Sequence, residues 1–231
     1  MKFLVITLAI DTATETLSVA LVSDKNILEV LSEPAAQTQD ERLPELVAEL
    51  FSTTGLMRDQ VSHIALGVGP GAYTGLRVGL MFGLTFARAV GAKPIGICSH
   101  DAIAPENFNG LVVTDARRKE VYLSGYASGK RISGPLVVKP SEIVQADQQT
   151  IGDGVAKYPE IFKKGNLIQI NAGILGQKVN QALLAGATVS EEFPKLSAAS
   201  TDGSGSLSKN VGLLLPPIPL YLRRPDVAEP K

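Results

Sequence analysis

GVGPGAYTGLRVGLMFGLTFARAVG, residues 67–91, decides how the rest of the chain is arranged. It opens as a glycine-proline loop, passes a cap-type residue at Thr74 and continues as a helix. Within that helix Gly75, Gly79, Gly83, Ala87 and Gly91 recur at every fourth position. Residues four apart lie almost above one another on a helix, so these five make one stripe without side-chain bulk. A glycine in a helix interior costs about 1 kcal/mol relative to alanine, so the stripe calls for an offsetting close approach of other atoms. Two uses are open: docking on the protein's own sheet, or meeting another subunit beside Leu76, Leu80, Met81 and Leu84. Arg77 and Arg88 interrupt the segment, which argues against a membrane span.

Outward from that helix, residues 3–10 form an apolar run that reads as a strand buried on both faces. Its eight residues and the Asp11 that ends them fit a strand better than a signal peptide. The polar turn DTATET, the run 17–23, the turn 24–26 and the run 27–33 complete an antiparallel meander. A helix follows, with Leu43, Leu46, Val47, Leu50 and Phe51 on one face and Gly55 as its stop. Thr38 and Glu41 match a capping box, but Pro44 conflicts with that start, leaving Thr38, Asp40 and Arg42 as alternative beginnings. Strands at 62–68 and 93–99 bracket the glycine-striped helix. The first hundred residues therefore read as a mixed α/β sheet carrying helices.

A second half starts near Asn109 with strands at LVVT and VYLSGY, a hairpin tip at 129–134, a strand at LIQI (167–170) and a helix over 171–186. The halves share a loose strand-strand-helix theme. The expected division is 1–105 and 106–205, with the segment 206–224 packing back on the first lobe. SAASTDGSGSLS reads as a mobile loop or frayed helix.

The 231 residues carry a net charge of −1, which does not suit a chain that grips nucleic acid by itself. Cys98 is the single cysteine, so no internal disulfide forms, and a reducing cytoplasmic setting is expected. His63 and His100 are the only histidines and are far apart, so no metal site is expected. Ser18 and Ser99 lack a nucleophile elbow, which disfavours hydrolysis. The loop from Gly67 to Gly75 lacks the Gly-Lys-Ser/Thr ending of a P-loop, and Pro70 interrupts a dinucleotide fingerprint. It reads as a structural turn, with an anion site through Gly69 and Gly71 as the alternative. Asp11 and Thr12 read as a hairpin turn, with a magnesium-phosphate site as theirs.

Four segments, IDTATETLSVAL, GVGPGAYTGLRVG, TDARRKEVYLSGY and PLYLRRPD, resemble the TsaB (YeaZ) family, in the family's order and across most of the chain. The resemblance implies a two-lobed actin-like fold of the Hsp70, sugar-kinase and RNase H-like kind, each lobe a mixed sheet with helices. It implies a non-catalytic partner of the TsaD threonylcarbamoyltransferase in making threonylcarbamoyladenosine on tRNA, in the cytoplasm. The implied partners are TsaD as a heterodimer and TsaE, a small ATPase, with TsaC supplying threonylcarbamoyl-adenylate. A homodimer is implied in isolation, and tRNA is met only through the complex. No intrinsic cofactor is implied, ATP or ADP being held only in the complex. The implied interface is Leu43, Leu46, Val47 and Leu50 of the first helix with Gly75, Arg77, Val78, Gly79, Met81 and Phe82 of the second. The chain lacks the His-x-x-x-His pair of TsaD-like proteins, Thr38 stands where relatives carry a histidine, and DTATE lacks the glycine of nucleotide-binding members. The competing reading is an ATP-dependent phosphotransferase or ATPase using Asp11 and the loop from Gly67 to Gly75. A peptidase finds no nucleophile-base setting.

Overall fold

The computed structural model describes residues 4–35, 38–144, 148–190 and 213–222. The meander forms as expected, with β1 (Ile6–Asp11), β2 (Thr16–Ser23) and β3 (Asn26–Pro34). Helix α1 (Gln39–Thr54) leads to β4 (His63–Gly67), helix α2 (Tyr73–Val90) and β5 (Lys93–Ile97). These strands make one sheet in the order β3-β2-β1-β4-β5, antiparallel along the meander and parallel from β1 through β4 to β5.

The second sheet repeats that wiring. Strands β6 (Gly110–Asp115), β7 (Val121–Ala127), β8 (Lys130–Val138), β9 (Thr150–Ile151) and β10 (Gly165–Asn166) lie in the order β10-β9-β6-β7-β8. Again the first strand is central, antiparallel to the second and parallel to the fourth. The loose likeness between the halves is thus one topology used twice, α/β in both. Short helix α3 (Gly154–Lys157) belongs to this half, and helix α4 (Ala172–Leu184) follows it.

Side-chain alternation on β1 divides the first core in two. Ile6, Leu8 and Ile10 join the buried residues of α1 and α2 on one face. Ala9, with Ala20 and Ala65 of neighbouring strands, meets Leu175 and Val179 of α4 on the other. Helix α4, although it lies in the second half of the sequence, therefore packs on the first sheet. Gly176 permits this, because a methyl there would come 2.8 Å from Val22 Cγ2 and 3.0 Å from Ala9 Cβ. Buried Asn180 fixes the register, accepting from Thr7 Oγ1 at 2.5 Å and donating to the Val5 carbonyl at 3.2 Å.

Several local expectations shift. Helix α1 starts at Gln39 and contains Pro44, and Thr38 caps it without a side-chain hydrogen bond. Helix α2 starts at Tyr73 after Ala72, so Thr74 lies inside its first turn. The supposed hairpin tip at 129–134 is mostly strand β8, because the turn falls at Ser128 and Gly129, both with positive φ. LIQI forms no strand; pairing with β9 uses Gly165 and Asn166 instead. The SAASTDGSGSLS segment lies outside the described residues. Further on, Leu215 pairs with Gly96, and the Leu220 amide donates to the Val68 carbonyl at 2.7 Å. No helix among the described residues is long and apolar enough to cross a membrane.

Candidate functional site: the interlobe cleft and the outer face of the second helix

The glycine stripe faces inward. A methyl on Gly75 would meet the Thr12 carbonyl oxygen at 2.4 Å, one on Gly79 the Thr12 hydroxyl at 2.3 Å, and one on Gly83 the Leu66 side chain at 2.3 Å. The stripe therefore seats α2 on the first sheet and the turn after β1, and Thr12 Oγ1 donates to the Gly75 carbonyl at 2.7 Å. Of the two uses open from sequence, docking on the protein's own sheet is the one the helix makes. Gly75 and Gly79 are consequently buried and present no surface to a partner.

The first helix requires a similar correction. Leu43, Leu46, Val47 and Leu50 are 0–5% exposed and belong to the core against the first sheet. Their helical spacing marks the face that seeks apolar cover, and the protein's own strands supply it. What α2 turns outward is Arg77 and Met81, the latter 63% exposed, with Val78 and Phe82 half-buried beside them. The Arg77 guanidinium lies 4.9 Å from the centre of the Tyr73 ring, and Tyr73 in turn meets Tyr221 at 4.8 Å between ring centres. Phe82 stacks near Phe86, and Phe86 near Phe51, at about 6 Å between ring centres, so the half-buried aromatics are held from beneath.

Beside this face lies a cleft of about 400 Å³ with walls from both halves of the chain. Thr12, Thr14 and Glu15 of the turn after β1, and Thr74, Gly75 and Val78 of α2, face Asp115, Arg117, Tyr122 and Asp153. Glu15 bridges the halves, accepting ion pairs from Arg117 at 3.0 Å and Lys157 at 3.1 Å. Lys157 also pairs with Asp115 at 2.5 Å. Asp153 accepts from the Asp115 amide at 3.0 Å, and burial pushes its carboxyl up to about 6. Glu15, Asp40, Asp115 and Asp153 give the lining an acidic balance against Arg117. Such a wall repels a bare polyphosphate unless a divalent cation accompanies it.

The four residues considered for nucleotide binding, Asp11, Thr12, Gly69 and Gly71, come together in space but close on one another. Gly71 lies against Ala13, whose carbonyl would sit 2.2 Å from an added methyl. The Thr12 hydroxyl is engaged by α2, and the Ser99 hydroxyl accepts from the Gly69 amide at 3.1 Å. Asp11 is 1% exposed and does not line the cleft. One of its oxygens accepts from the Ala13 amide at 2.8 Å, while Oδ2 finds no hydrogen-bond partner among the described residues. Burial raises this carboxyl to about 6, against the lowering pull of the Ala13 amide and the nearby Ser99 hydroxyl. Gly67 exists for this contact, since a methyl there would stand 1.8 Å from Asp11 Oδ2.

Sequence reasoning passed over a buried polar junction between the halves. His100 is fully buried, bonded through its two ring nitrogens to Ser124 at 2.8 Å and Thr114 at 2.9 Å. Burial holds its pKa down at about 3. Asp101 pairs with Arg131 at 3.2 Å and accepts from the Tyr126 hydroxyl at 2.5 Å. The only signal in the sequence was His100 beside Asp101; their partners lie at least 14 residues away.

Residues 27–202 match the family model described as TsaD: tRNA N6-adenosine threonylcarbamoyltransferase. An uncharacterized protein of Mycobacterium leprae is 34% identical over 229 residues, spanning 96% of this chain and 55% of the relative, so the chain covers about half of that protein's length. The tRNA threonylcarbamoyladenosine biosynthesis protein TsaB of Haemophilus influenzae is 35% identical over 179 residues, spanning 68% of this chain and 75% of the relative. Among solved structures, YeaZ from Pseudomonas aeruginosa superposes with a TM-score of 0.64 at 24% identity, over 79% of this chain and 93% of the other, which shows a shared fold. The expected two-lobed fold and the resemblance read from four segments agree with these likenesses, and the chain belongs to the TsaB (YeaZ) family.

Proposed function

We propose that the chain acts in tRNA threonylcarbamoyladenosine biosynthesis as a non-catalytic partner that pairs with a TsaD-type transferase through the outer face of α2. The observation that carries this reading is the split character of that helix. Its glycine side is clamped to the sheet, while Arg77 and Met81 stand in solvent with half-buried Val78 and Phe82 between them. An exposed methionine over supported aromatics and an arginine is the composition that interface centres favour. The family supports the pathway, since the H. influenzae relative is named as a biosynthesis protein. The pair recruits TsaE, and tRNA is engaged only by the assembly. Alone, the chain self-associates through the same face.

The test is light scattering coupled to size-exclusion chromatography, on the chain alone and mixed with TsaD of the same organism. A one-to-one pair is expected, and Met81→Glu, a change at an exposed position, is expected to abolish it. No pair with the wild-type chain overturns the proposal.

The interlobe cleft favours a second reading, an ATP-binding phosphotransferase. Its acidic wall and the burial of Asp11 weigh against it. Calorimetry with Mg-ATP decides: saturable heat from the chain alone, lost on substituting Thr74 or Arg117, moves the function to the cleft.

A further inference from the structure

A second cleft, of about 490 Å³, shares no lining residue with the first. It lies between helix α4, the connection at 105–107 and the turn joining β7 to β8. Its wall carries Lys130, Arg131 and Lys178 against Asp101 and Glu106, an excess of one positive charge. The basic groups are not equivalent. Arg131 is committed, its guanidinium divided between Asp101 and the Gly134 carbonyl. Lys178 is half-buried and forms no ion pair among the described residues. Its ammonium donates to the Ala104 carbonyl at 2.9 Å.

An ammonium has three donors, so one carbonyl leaves two of them to be met inside a partly desolvated cleft. Drawing a charge partly out of water is costly, and burial holds the Lys178 pKa below its ordinary value, outweighing the opposing pull of Asp101 and Glu106. Helix α4 could have placed an apolar side chain at this position. Instead it directs a cation to the cleft wall, with the Gln181 amide one turn further along and Asn107 across the cleft. These amides can each donate to an oxygen anion and accept from its neighbouring polar groups. Glu106 on the same wall limits how much negative charge the cleft accepts, which selects small anions over polyphosphates.

We infer that this second cleft is a binding site for a small carboxylate or phosphate anion, received by the Lys178 ammonium with Asn107 and Gln181 beside it. The site is separate from the α2 face, so its failure leaves the pairing with TsaD untouched, and the converse also holds.

The experiment is a titration of the full chain followed by amide NMR spectra, with sodium phosphate in one arm and sodium succinate in the other. Ionic strength is held constant with sodium chloride. Saturable shifts are expected at Asn107, Gly129 and Gln181, and the anion that saturates at lower concentration names the ligand's chemistry. Lys178→Met is expected to weaken binding at least tenfold, Lys178→Arg to retain it, and Gln181→Leu to weaken it less. The same spectra report whether each variant is folded. Shifts that sodium chloride alone reproduces overturn the proposal. So does binding of unchanged strength in both Lys178→Met and Gln181→Leu.

Discussion

Asp11 is a carboxyl held where it would rather be neutral. Its folded pKa of about 6 lies above the 3.8 of a free aspartate, because burial opposes the charge more strongly than the Ala13 amide supports it. The folded state therefore binds this proton more tightly than the unfolded state does. The resulting stabilisation is complete below about pH 4 and is lost as pH rises through 6. A shift of that size corresponds to roughly 3 kcal/mol. Asp11→Asn removes the buried charge and keeps an acceptor for the Ala13 amide. It is expected to be more stable than the wild type at pH 8, by up to about 3 kcal/mol, and to lose that advantage at pH 4. Urea unfolding at the two pH values measures this, and a pH-independent difference would contradict the burial account. Opposite behaviour belongs to His100, whose neutral form is favoured by burial. Its contribution is full above pH 6.5 and falls away toward 3, and it cancels when the variant is compared with the wild type at one pH.

At the scale of one helix, the two sides of α2 answer to different measurements. Gly79→Leu drives side-chain atoms into Thr12, whose hydroxyl would lie 2.3 Å from the first added carbon. The helix must shift, and the bond from Thr12 to the Gly75 carbonyl goes with it. A loss of about 2–3 kcal/mol is expected by urea unfolding, as for overpacking at a tight contact. Met81→Glu, two residues further along and on the exposed side, is expected to change stability by less than about 0.5 kcal/mol. The two variants thus separate folding from pairing. If Met81→Glu unfolds the chain, the outer face is not free surface. Leu46→Glu does not serve as an interface probe, because Leu46 is 5% exposed within the core.

Across the whole molecule, the two halves meet through contacts of unequal strength. The pairs from Glu15 to Arg117 and Lys157 join partly exposed side chains at the cleft rim, and exposed pairs contribute under about 1 kcal/mol. The pair from Asp101 to Arg131 joins side chains only 4% and 7% exposed. Removing one partner of a buried pair leaves the other uncompensated, at a cost of about 3–5 kcal/mol. Arg131→Met is therefore expected to lower stability several-fold more than Glu15→Gln when both are unfolded in urea. Equal effects would mean that the rim, not the buried junction, holds the halves together.

Much of this was legible in the chain itself. Alternation and turn residues gave the meander, spacing gave both long helices, and the glycines every fourth residue announced a close approach. Four short segments carried the family. The remainder depended on contacts between residues far apart in sequence. Periodicity says that a face wants cover and not what covers it; the resemblance made Leu43 to Leu50 an interface, and β2 and β3 supply cover for α1 from within the chain. Helix α4 gave no sign that it belongs with the first sheet, because that choice rests on Gly176 meeting Val22 and Ala9. Asp11 read as part of a ligand site, yet Gly67 packs against its carboxyl and the residue is buried away from the cleft that Thr12, Thr14 and Glu15 line. The sequence by itself determined the elements of the first half, their order and the family. Only the tertiary structure decided which faces are spent on the protein's own core and which clefts remain, because burial depends on all the neighbours at once.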